Sequence, residues 1–188
     1  MRPMATDQSI LANVMNAAKS ASITVNSPND YMMRGEGIVV TKTSTCNGDG
    51  AQTDNIFSIT GTVDVLEIWG VCTEATDSTD LADCSFAVYD GTATLELTDS
   101  DAPTDCSGMA VGEVVFKNGA SASVALAYHD IAAGVLSDLT QTKVRISKKT
   151  GASTYIQFLF NGDANTDVDI KFYVLYKPVS DDGAIAAV

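Results

Sequence analysis

STYIQFLFNGDANTDVDIKFYVLYKPV, residues 153 to 179, has the pattern of two β-strands on either side of a turn. Side chains alternate between the two faces of a strand, and in the first half three large apolar residues share one face: Ile156, Phe158 and Phe160. Asn161-Gly162 is a typical pair for a hairpin turn. The second half, from Val168, is rich in the β-branched and aromatic residues that favour strands. The stretch therefore predicts a β protein.

Segments of the same kind occur along the chain from Gly37 onward. They are short, rich in β-branched or aromatic residues, and separated by Gly, Asn and Asp. The further candidate strands are GIVVTKT from Gly37, NIFSITG from Asn55, TVDVLEIWGV from Thr62, SFAVYDG from Ser85, TATLELT from Thr92, GEVVFKNG from Gly112, ASVALAYH from Ala122 and TKVRIS from Thr142. About eight to ten strands without a sustained central helix predict an all-β fold, a β-sandwich of jelly-roll type.

Two irregular features interrupt this pattern. In VDVLEIW the alternation changes phase between Val65 and Leu66, which predicts a β-bulge. YHDIAAGVLSDL, residues 128–139, has the character of a short helix, and we expect it to cross between the sheets.

Residues 1–36 are predicted to form an N-terminal arm or short amphipathic helix, distinct from a β-sandwich domain of residues 37–188. Asp7 is a typical N-cap, and apolar residues follow it at helical spacing. A neighbouring subunit or a shell surface would cover this apolar face, and packing on the chain's own β domain is the alternative. The candidate contact residues are Ile10, Leu11, Val14 and Met15.

No targeting or membrane segment is expected from the sequence. The first twenty residues contain no apolar run of the length that a secretory signal needs. No stretch approaches the roughly 20 apolar residues of a membrane span.

The charge of the chain is strongly negative and unevenly distributed. The net charge is -13 and the pI is about 4.1, which disfavours binding to nucleic acid and to anionic membranes. From Thr43 to Phe116 there is no Lys or Arg, while 14 Asp and Glu residues fall in that stretch. Either the acidic stretch is simply one half of the surface, or the near-neutral remainder docks on a partner while the acidic part faces away.

The four cysteines, Cys46, Cys72, Cys84 and Cys106, are far apart in sequence. None forms the C-x-x-C pair of most zinc sites, so a thiolate metal site is not favoured. A disulfide from Cys72 to Cys84 would close the acidic loop between them, with Cys46 to Cys106 as the second bridge. Buried free thiols are the alternative.

Catalytic motifs are absent from the sequence. No Gly-Lys pair is present for a P-loop, and GASAS at Gly119 fails the last position of a G-x-S-x-G nucleophile elbow. His129 is the single histidine, and a structural role at the end of a strand is favoured over membership of a catalytic triad. We therefore expect a protein that is not an enzyme and has no cofactor.

One stretch has the composition of a calcium loop. Asp163, Asn165 and Asp167 have the alternating oxygen-ligand spacing that opens such a loop, but the bidentate Glu that normally completes it is missing. A hairpin turn rich in Asn and Asp has the same composition. The acidic side chains between Cys72 and Cys84 have no such spacing, and they predict the solvated tip of a hairpin.

The closing sequence VDIKFYVLYKPVSDDGAIAAV resembles the capsid decoration (head auxiliary or cement) proteins of tailed bacteriophages. These often end in a long strand of the form I-x-x-Y-V-x-Y-[RK]-P, followed by a polar turn and a small apolar tail. The matching residues are Ile170, Tyr173, Val174, Tyr176, Lys177 and Pro178, then Ser180, Asp181 and Gly183. The match covers about the last 20 residues, and the cysteines and acidic loops depart from the pattern.

The resemblance implies a virion structural protein, made in the host cytoplasm, that binds the outside of an icosahedral shell. Its partners would be the major capsid protein and two further copies of itself in a homotrimer, with neither nucleic acid nor membrane. Many weakly bound copies would together stabilise the shell through multivalency. A tail or fibre receptor-binding or carbohydrate-binding domain, and a jelly-roll shell protein, remain the alternatives.

Overall fold

The computed structural model describes residues 37–74, 81–119, 121–129, 143–162 and 167–188. These residues form eleven β-strands and no helix. The strands are β1 (Ile38–Asn47), β2 (Gly50–Thr60), β3 (Thr62–Cys72), β4 (Ala82–Tyr89), β5 (Thr94–Glu96), β6 (Val114–Lys117), β7 (Leu126–His129), β8 (Val144–Ser147), β9 (Thr154–Gly162), β10 (Asp167–Pro178) and β11 (Ala184–Ala187).

The strands form two antiparallel sheets packed face to face, so the predicted all-β sandwich is confirmed. Sheet A has the order β1-β10-β3-β6-β7, and β8 also pairs with β3. Sheet B has the order β11-β2-β9-β4-β5. If β7, β8 and β11 are left out, eight strands remain, and they can be renumbered one to eight along the chain. Their spatial order is then 1-8-3-6 in sheet A and 2-7-4-5 in sheet B. This is the strand order of a jelly roll.

β10 is the central strand of sheet A. It pairs with β1 over ten residues and with β3 on its other side. Exposure alternates along its whole length, with Ile170, Phe172 and Val174 fully buried and their neighbours partly exposed. A strand in this position has one face on the core and the other directed away from it.

The predicted β-bulge is confirmed. Leu175 pairs with Glu67 but the next residue, Tyr176, pairs with Val65, which leaves Leu66 as the extra residue on β3. The extra residue Leu66 therefore accounts both for the change of phase in the sequence and for the register shift in the sheet.

A cluster of phenylalanines joins the two sheets. Phe172 from sheet A lies 5.0 Å from Phe158 and 6.2 Å from Phe86, both from sheet B, measured between ring centroids. All three side chains are fully buried. Tilted and edge-on ring pairs at these distances add about 0.5 to 1.5 kcal/mol each beyond the area they bury. This cluster forms the centre of the core.

Several predicted boundaries differ from the observed ones. β7 begins at Leu126 instead of Ala122, because residues 122–124 form a turn in which Ser121 Oγ accepts a hydrogen bond from the Ser123 amide. The predicted arm, residues 1–36, lies outside the described residues. Of the predicted helical stretch 128–139, Tyr128 and His129 belong to β7 and the rest is not described.

Candidate functional site

The outer face of sheet A, directed away from the core, carries an unusual set of side chains. Its members follow from strand alternation and from the cross-strand register. The outer face of sheet A comprises Val39, Thr41, Thr43, Thr45, Thr62, Asp64, Glu67, Trp69, Val71, Val114, Phe116, Ala127, His129, Arg145, Ser147, Asp169, Lys171, Tyr173, Leu175 and Lys177.

Three aromatic residues form a row across the middle of this face. Tyr173 on β10 pairs with Trp69 on β3, and Trp69 pairs with Phe116 on β6. The Trp69 and Tyr173 rings are parallel within 1°, with centroids 5.0 Å apart. Phe116 is buried at 5% exposure, whereas Trp69 and Tyr173 remain half-buried. Half-buried Trp and Tyr side chains are the residues most enriched at the centres of protein interfaces.

Cationic side chains lie beside the aromatic row. Lys171 Nζ lies 5.5 Å from the centroid of the Tyr173 ring, within the range of a cation–π contact. Leu175 and the strongly exposed Val39 lie on the opposite side of Tyr173 and pair with each other. The row therefore has a basic side and an aliphatic side.

Asp64 is the most buried charge on the outer face of sheet A, at 6% exposure. Lys143 Nζ lies 3.0 Å from its Oδ2 atom, and Arg145 contacts the same carboxylate. Hydrogen bonds from Arg145 and Lys143 outweigh burial and hold the pKa of Asp64 below its ordinary value. The Arg145 and Lys143 side chains are still 60% and 62% exposed, so both remain accessible to a partner.

The two sheets differ sharply in basic residues. None of the residues in β2, β4, β5, β9 or β11, the five strands of sheet B, is Lys or Arg. The outer face of sheet A carries Arg145, Lys171 and Lys177, and Lys143 lies at its edge. Four of the seven Lys and Arg residues that follow the acidic stretch therefore lie on this face or at its edge, whereas Lys117 is buried and Lys149 pairs with Asp90 beside sheet B.

The sequence alone did not identify this aromatic row as a unit. Trp69 was evident as the single tryptophan on a predicted strand, but its neighbours Tyr173 and Phe116 come from segments about 104 and 47 positions away. One feature of the sequence did indicate a second contact face: in VDIKFYVLYKP, both sets of alternate residues, which lie on opposite faces of the strand, include large side chains. A strand with a single buried face would carry small or polar residues in one of those phases.

The predicted metal and contact residues fall mostly outside the described part of the chain. Ile10, Leu11, Val14, Met15, Asp163 and Asn165 are not described. Asp167 begins β10 and pairs with Asn47 at an exposed position. Among residues 37–74, 81–119, 121–129, 143–162 and 167–188, no three His, Cys, Asp or Glu side chains are placed to hold a metal ion. The calcium loop stays a prediction.

The predicted disulfides do not form in the structure, where all four cysteines are buried free thiols. Cys72 ends β3 in sheet A and Cys84 lies on β4 in sheet B, so the acidic loop between them links the two sheets. The prediction of a hairpin there is therefore wrong. Cys84 instead has Cys106 as its thiol neighbour, because an isolated β-bridge joins Cys84 to Thr104. Burial is the main cause that raises the pKa of the Cys46 and Cys72 thiols.

His129 lies at the end of β7 and pairs with Val114, an apolar residue. The described part of the chain contains no helix long and apolar enough to span a membrane.

Comparison with known proteins gives no relative. No family model matches the chain, and neither a curated protein nor a solved structure matches it. The functional argument therefore depends on the residues and geometry above.

Proposed function

We propose that this chain is a non-enzymatic virion structural protein that binds the outer surface of an icosahedral phage capsid and stabilises it. In this proposal the outer face of sheet A is the docking face, and sheet B with the acidic loops faces solvent. The observation that carries the proposal is the distribution of basic residues, because Arg145, Lys171 and Lys177 share the outer face of sheet A with the aromatic row, while the strands of sheet B contain no Lys or Arg.

The chemistry of the outer face of sheet A is consistent with docking on a protein. An aromatic centre surrounded by charged and polar side chains is the usual organisation of a protein interface. Tyr173 and Trp69 would supply the buried contacts, and Lys171, Lys177 and Arg145 would pair with acidic groups on the shell. Repulsion between the acidic regions disfavours stacking of copies through those regions.

The jelly-roll strand order and the resemblance of the closing sequence support the same proposal. Viral capsid proteins and lectins are among the proteins that use this architecture, so the fold by itself does not select one of them. The proposed assembly is a homotrimer, in which three docking faces bind neighbouring capsomers at once. Simultaneous binding raises the overall affinity far above that of a single face.

Cosedimentation with capsid shells that lack the protein tests the proposal. We expect saturable binding at a fixed number of copies per shell, and a mass in solution of three chains. Trp69→Ala and Tyr173→Ala should each weaken binding at least about tenfold, the change typical of an interface hot spot. Tyr155→Ala is the matched control, because Tyr155 is a half-buried tyrosine on β9 that pairs with Tyr89 in sheet B.

Two outcomes would contradict the proposal. Absence of binding to shells would remove the capsid function. If Tyr173→Ala and Tyr155→Ala reduced the affinity for shells equally, the docking face would not be the outer face of sheet A. A variant without residues 1–25 separately tests the arm, and undiminished shell binding by that variant would show that the arm has no part in docking.

A further inference from the structure

A cleft lies at one end of sheet B, on the opposite side of the sandwich from the outer face of sheet A. Strands β2, β9 and β4 form it together with the loop that follows β5. Its volume is about 310 Å³, at the lower end of the usual size for small-molecule sites. Its polar lining side chains are Gln52, Thr53, Asp83, Ser85, Ser100 and Asn161.

The backbone around Asp83 is distorted in a way that directs this carboxylate to the cleft. Ala82 pairs with Asn161 and Ser85 pairs with Leu159, so β4 has one extra residue between them and forms a β-bulge. Asp83 has a φ of 56° and Leu81 a φ of 70°, both in the left-handed region. Such residues each cost about 1 to 3 kcal/mol, and bulges commonly redirect a side chain beside a binding site.

The bulge places Asp83 next to Asn161. The Asn161 side-chain amide donates a long hydrogen bond of 3.4 Å to Oδ2 of Asp83. A carboxylate offers about four acceptor positions, and an amide side chain offers two donors and an acceptor. The Asp83 carboxylate can therefore accept a hydrogen bond from one ligand hydroxyl, and the Asn161 amide can donate a hydrogen bond to the oxygen of the adjacent hydroxyl.

The composition of the cleft selects the class of ligand. None of the described residues that line it is Lys or Arg, so an anionic ligand such as a phosphate would meet Asp83 without a counter-charge from these residues. Among the described lining residues, three hydroxyl side chains and two amides accompany the Asp83 carboxylate, and Leu159 supplies an apolar surface. A neutral ligand with many hydroxyl groups and apolar C–H faces fits this combination.

We propose that the cleft binds a neutral saccharide, with two adjacent ring hydroxyls on Asp83 and Asn161 and the C–H face of the ring on Leu159. This site is independent of the proposed capsid function, because it involves sheet B and neither Trp69 nor Tyr173. The two proposals can therefore fail separately.

NMR titration of the full chain labelled with ¹⁵N tests the site. The probes are the methyl glycosides of glucose, galactose, mannose and N-acetylglucosamine, each added to about 50 mM, because an isolated shallow site of this size is expected to bind with a millimolar Kd. We expect at least one probe to shift the backbone amide signals of Thr53, Ser85 and Asn161 in a saturable manner, and to leave the amides of Thr41 and Thr43 on sheet A unchanged.

Two variants and a control locate the binding. Asp83→Asn removes the carboxylate, and asparagine tolerates the same left-handed conformation, so binding should weaken at least about tenfold with the fold retained. Thr53→Trp fills the cleft from an exposed strand position and should abolish binding even if Asp83→Asn fails to fold. Asp181→Asn, which removes the same charge at an exposed turn remote in sequence from the cleft, should bind as the unmodified chain does.

The proposal is overturned if none of the four glycosides shifts these amides, or if Thr53→Trp binds as tightly as the unmodified chain. A cationic probe, N-acetyl-lysine methyl amide, provides the contrast. If it shifts the amides of the cleft and the glycosides do not, the site recognises an amine instead, and the saccharide assignment is wrong.

Discussion

Arg145 on β8 binds Asp64 on β3 through two hydrogen bonds. Its Nε atom donates to Oδ1 at 2.7 Å and its Nη2 atom donates to Oδ2 at 3.1 Å. The two residues are directly opposite each other in the β3–β8 pairing. A bidentate arginine–carboxylate pair has a fixed geometry, so it holds the short strand β8 in register on sheet A.

Asp64→Asn should lower the free energy of unfolding at neutral pH. The variant should then lose less of that free energy than the unmodified chain when the pH is lowered into the acid range. The folded-state pKa of Asp64 lies below its ordinary value of 3.8, so its contribution is fully present above that value and is lost as pH falls through the folded pKa. Because Arg145 is largely exposed, we expect a loss of about 1 kcal/mol at pH 7.

Urea unfolding of both proteins at pH 7 and below pH 3 measures this effect. Asp181→Asn is the control, because it removes the same charge from an exposed position in the turn after β10. A difference in unfolding free energy between the Asp64→Asn variant and the unmodified chain that is the same at pH 7 and at the pH below 3 would contradict the role of the pair.

Phe172→Ala should destabilise the sandwich strongly, whereas Tyr173→Ala should not. Phe172 is fully buried between Phe86 and Phe158, and its removal leaves a cavity between the sheets that costs about 3 to 5 kcal/mol. Tyr173 is the next residue along β10 but lies on the outer face of sheet A, so we expect a loss of about 1 kcal/mol. Denaturant midpoints of the two variants compare the two faces of one strand, and equal losses would contradict the assignment of the faces.

The sequence predicted the strands well where alternation and turn residues agreed. The predicted strand from Val168 differs from β10 by one residue at each end. The hairpin turn predicted at Asn161-Gly162 is wrong, because both residues belong to β9 in sheet B, whereas β10 lies in sheet A. β7 was predicted too long because ASVALAYH alternates from its first residue. Long-range contacts decide its actual start, since the Val124 carbonyl accepts a hydrogen bond from the Asp99 amide instead of extending the strand.

The candidate docking face was much harder to predict than the strands. Both faces of β10 carry large side chains, and only its pairing with β1 and β3 and the packing of sheet B show which one is the core face.

The cysteine contacts were also difficult to predict, because they too depend on contacts between residues far apart in the sequence. The neighbour of Cys84 depends on the bridge to Thr104, a contact across 20 positions for which the sequence has no local signal.

Gly61→Ala should be more destabilising than Gly50→Ala, although both glycines have positive φ. Gly61 joins β2 to β3 with a φ of 54°, and an added Cβ would collide with side-chain oxygens of Ser180 and Asp182. Gly50 has a φ of 75° with open space around the added Cβ. Gly50→Ala therefore isolates the conformational cost, about 1 kcal/mol, and Gly61→Ala adds the collision with the turn before β11.

Thermal unfolding of the two glycine variants gives the comparison. For a domain of this size, 1 kcal/mol corresponds to a shift in Tm of about 2 to 4 °C. We expect Gly50→Ala to fall in that range and Gly61→Ala to exceed it at least twofold. Equal shifts would show that the turn of residues 180–182 moves away from Gly61 without cost.

All four cysteines should be unreactive in the folded protein and reactive after unfolding. The thiolate is the reactive form. Burial raises the pKa of the Cys46 and Cys72 thiols, and the hydrogen bond with Cys106 together with burial raises the pKa of Cys84. Burial also excludes the reagent from all four thiols. At pH 8 we expect a thiol-disulfide dye to react with the native chain at least about 100-fold more slowly than with the chain in guanidinium, because reaction requires opening of the core.

The number of thiols titrated in guanidinium distinguishes the two redox states. The free-thiol state predicts four reactive thiols per chain without prior reduction. Two or none would show disulfides, and mass spectrometry of the peptides would identify the pairs. A Cys84–Cys106 bridge would then be expected before the Cys72–Cys84 bridge predicted from sequence, because Cys106 is the thiol neighbour of Cys84 and Cys72 lies on the other sheet.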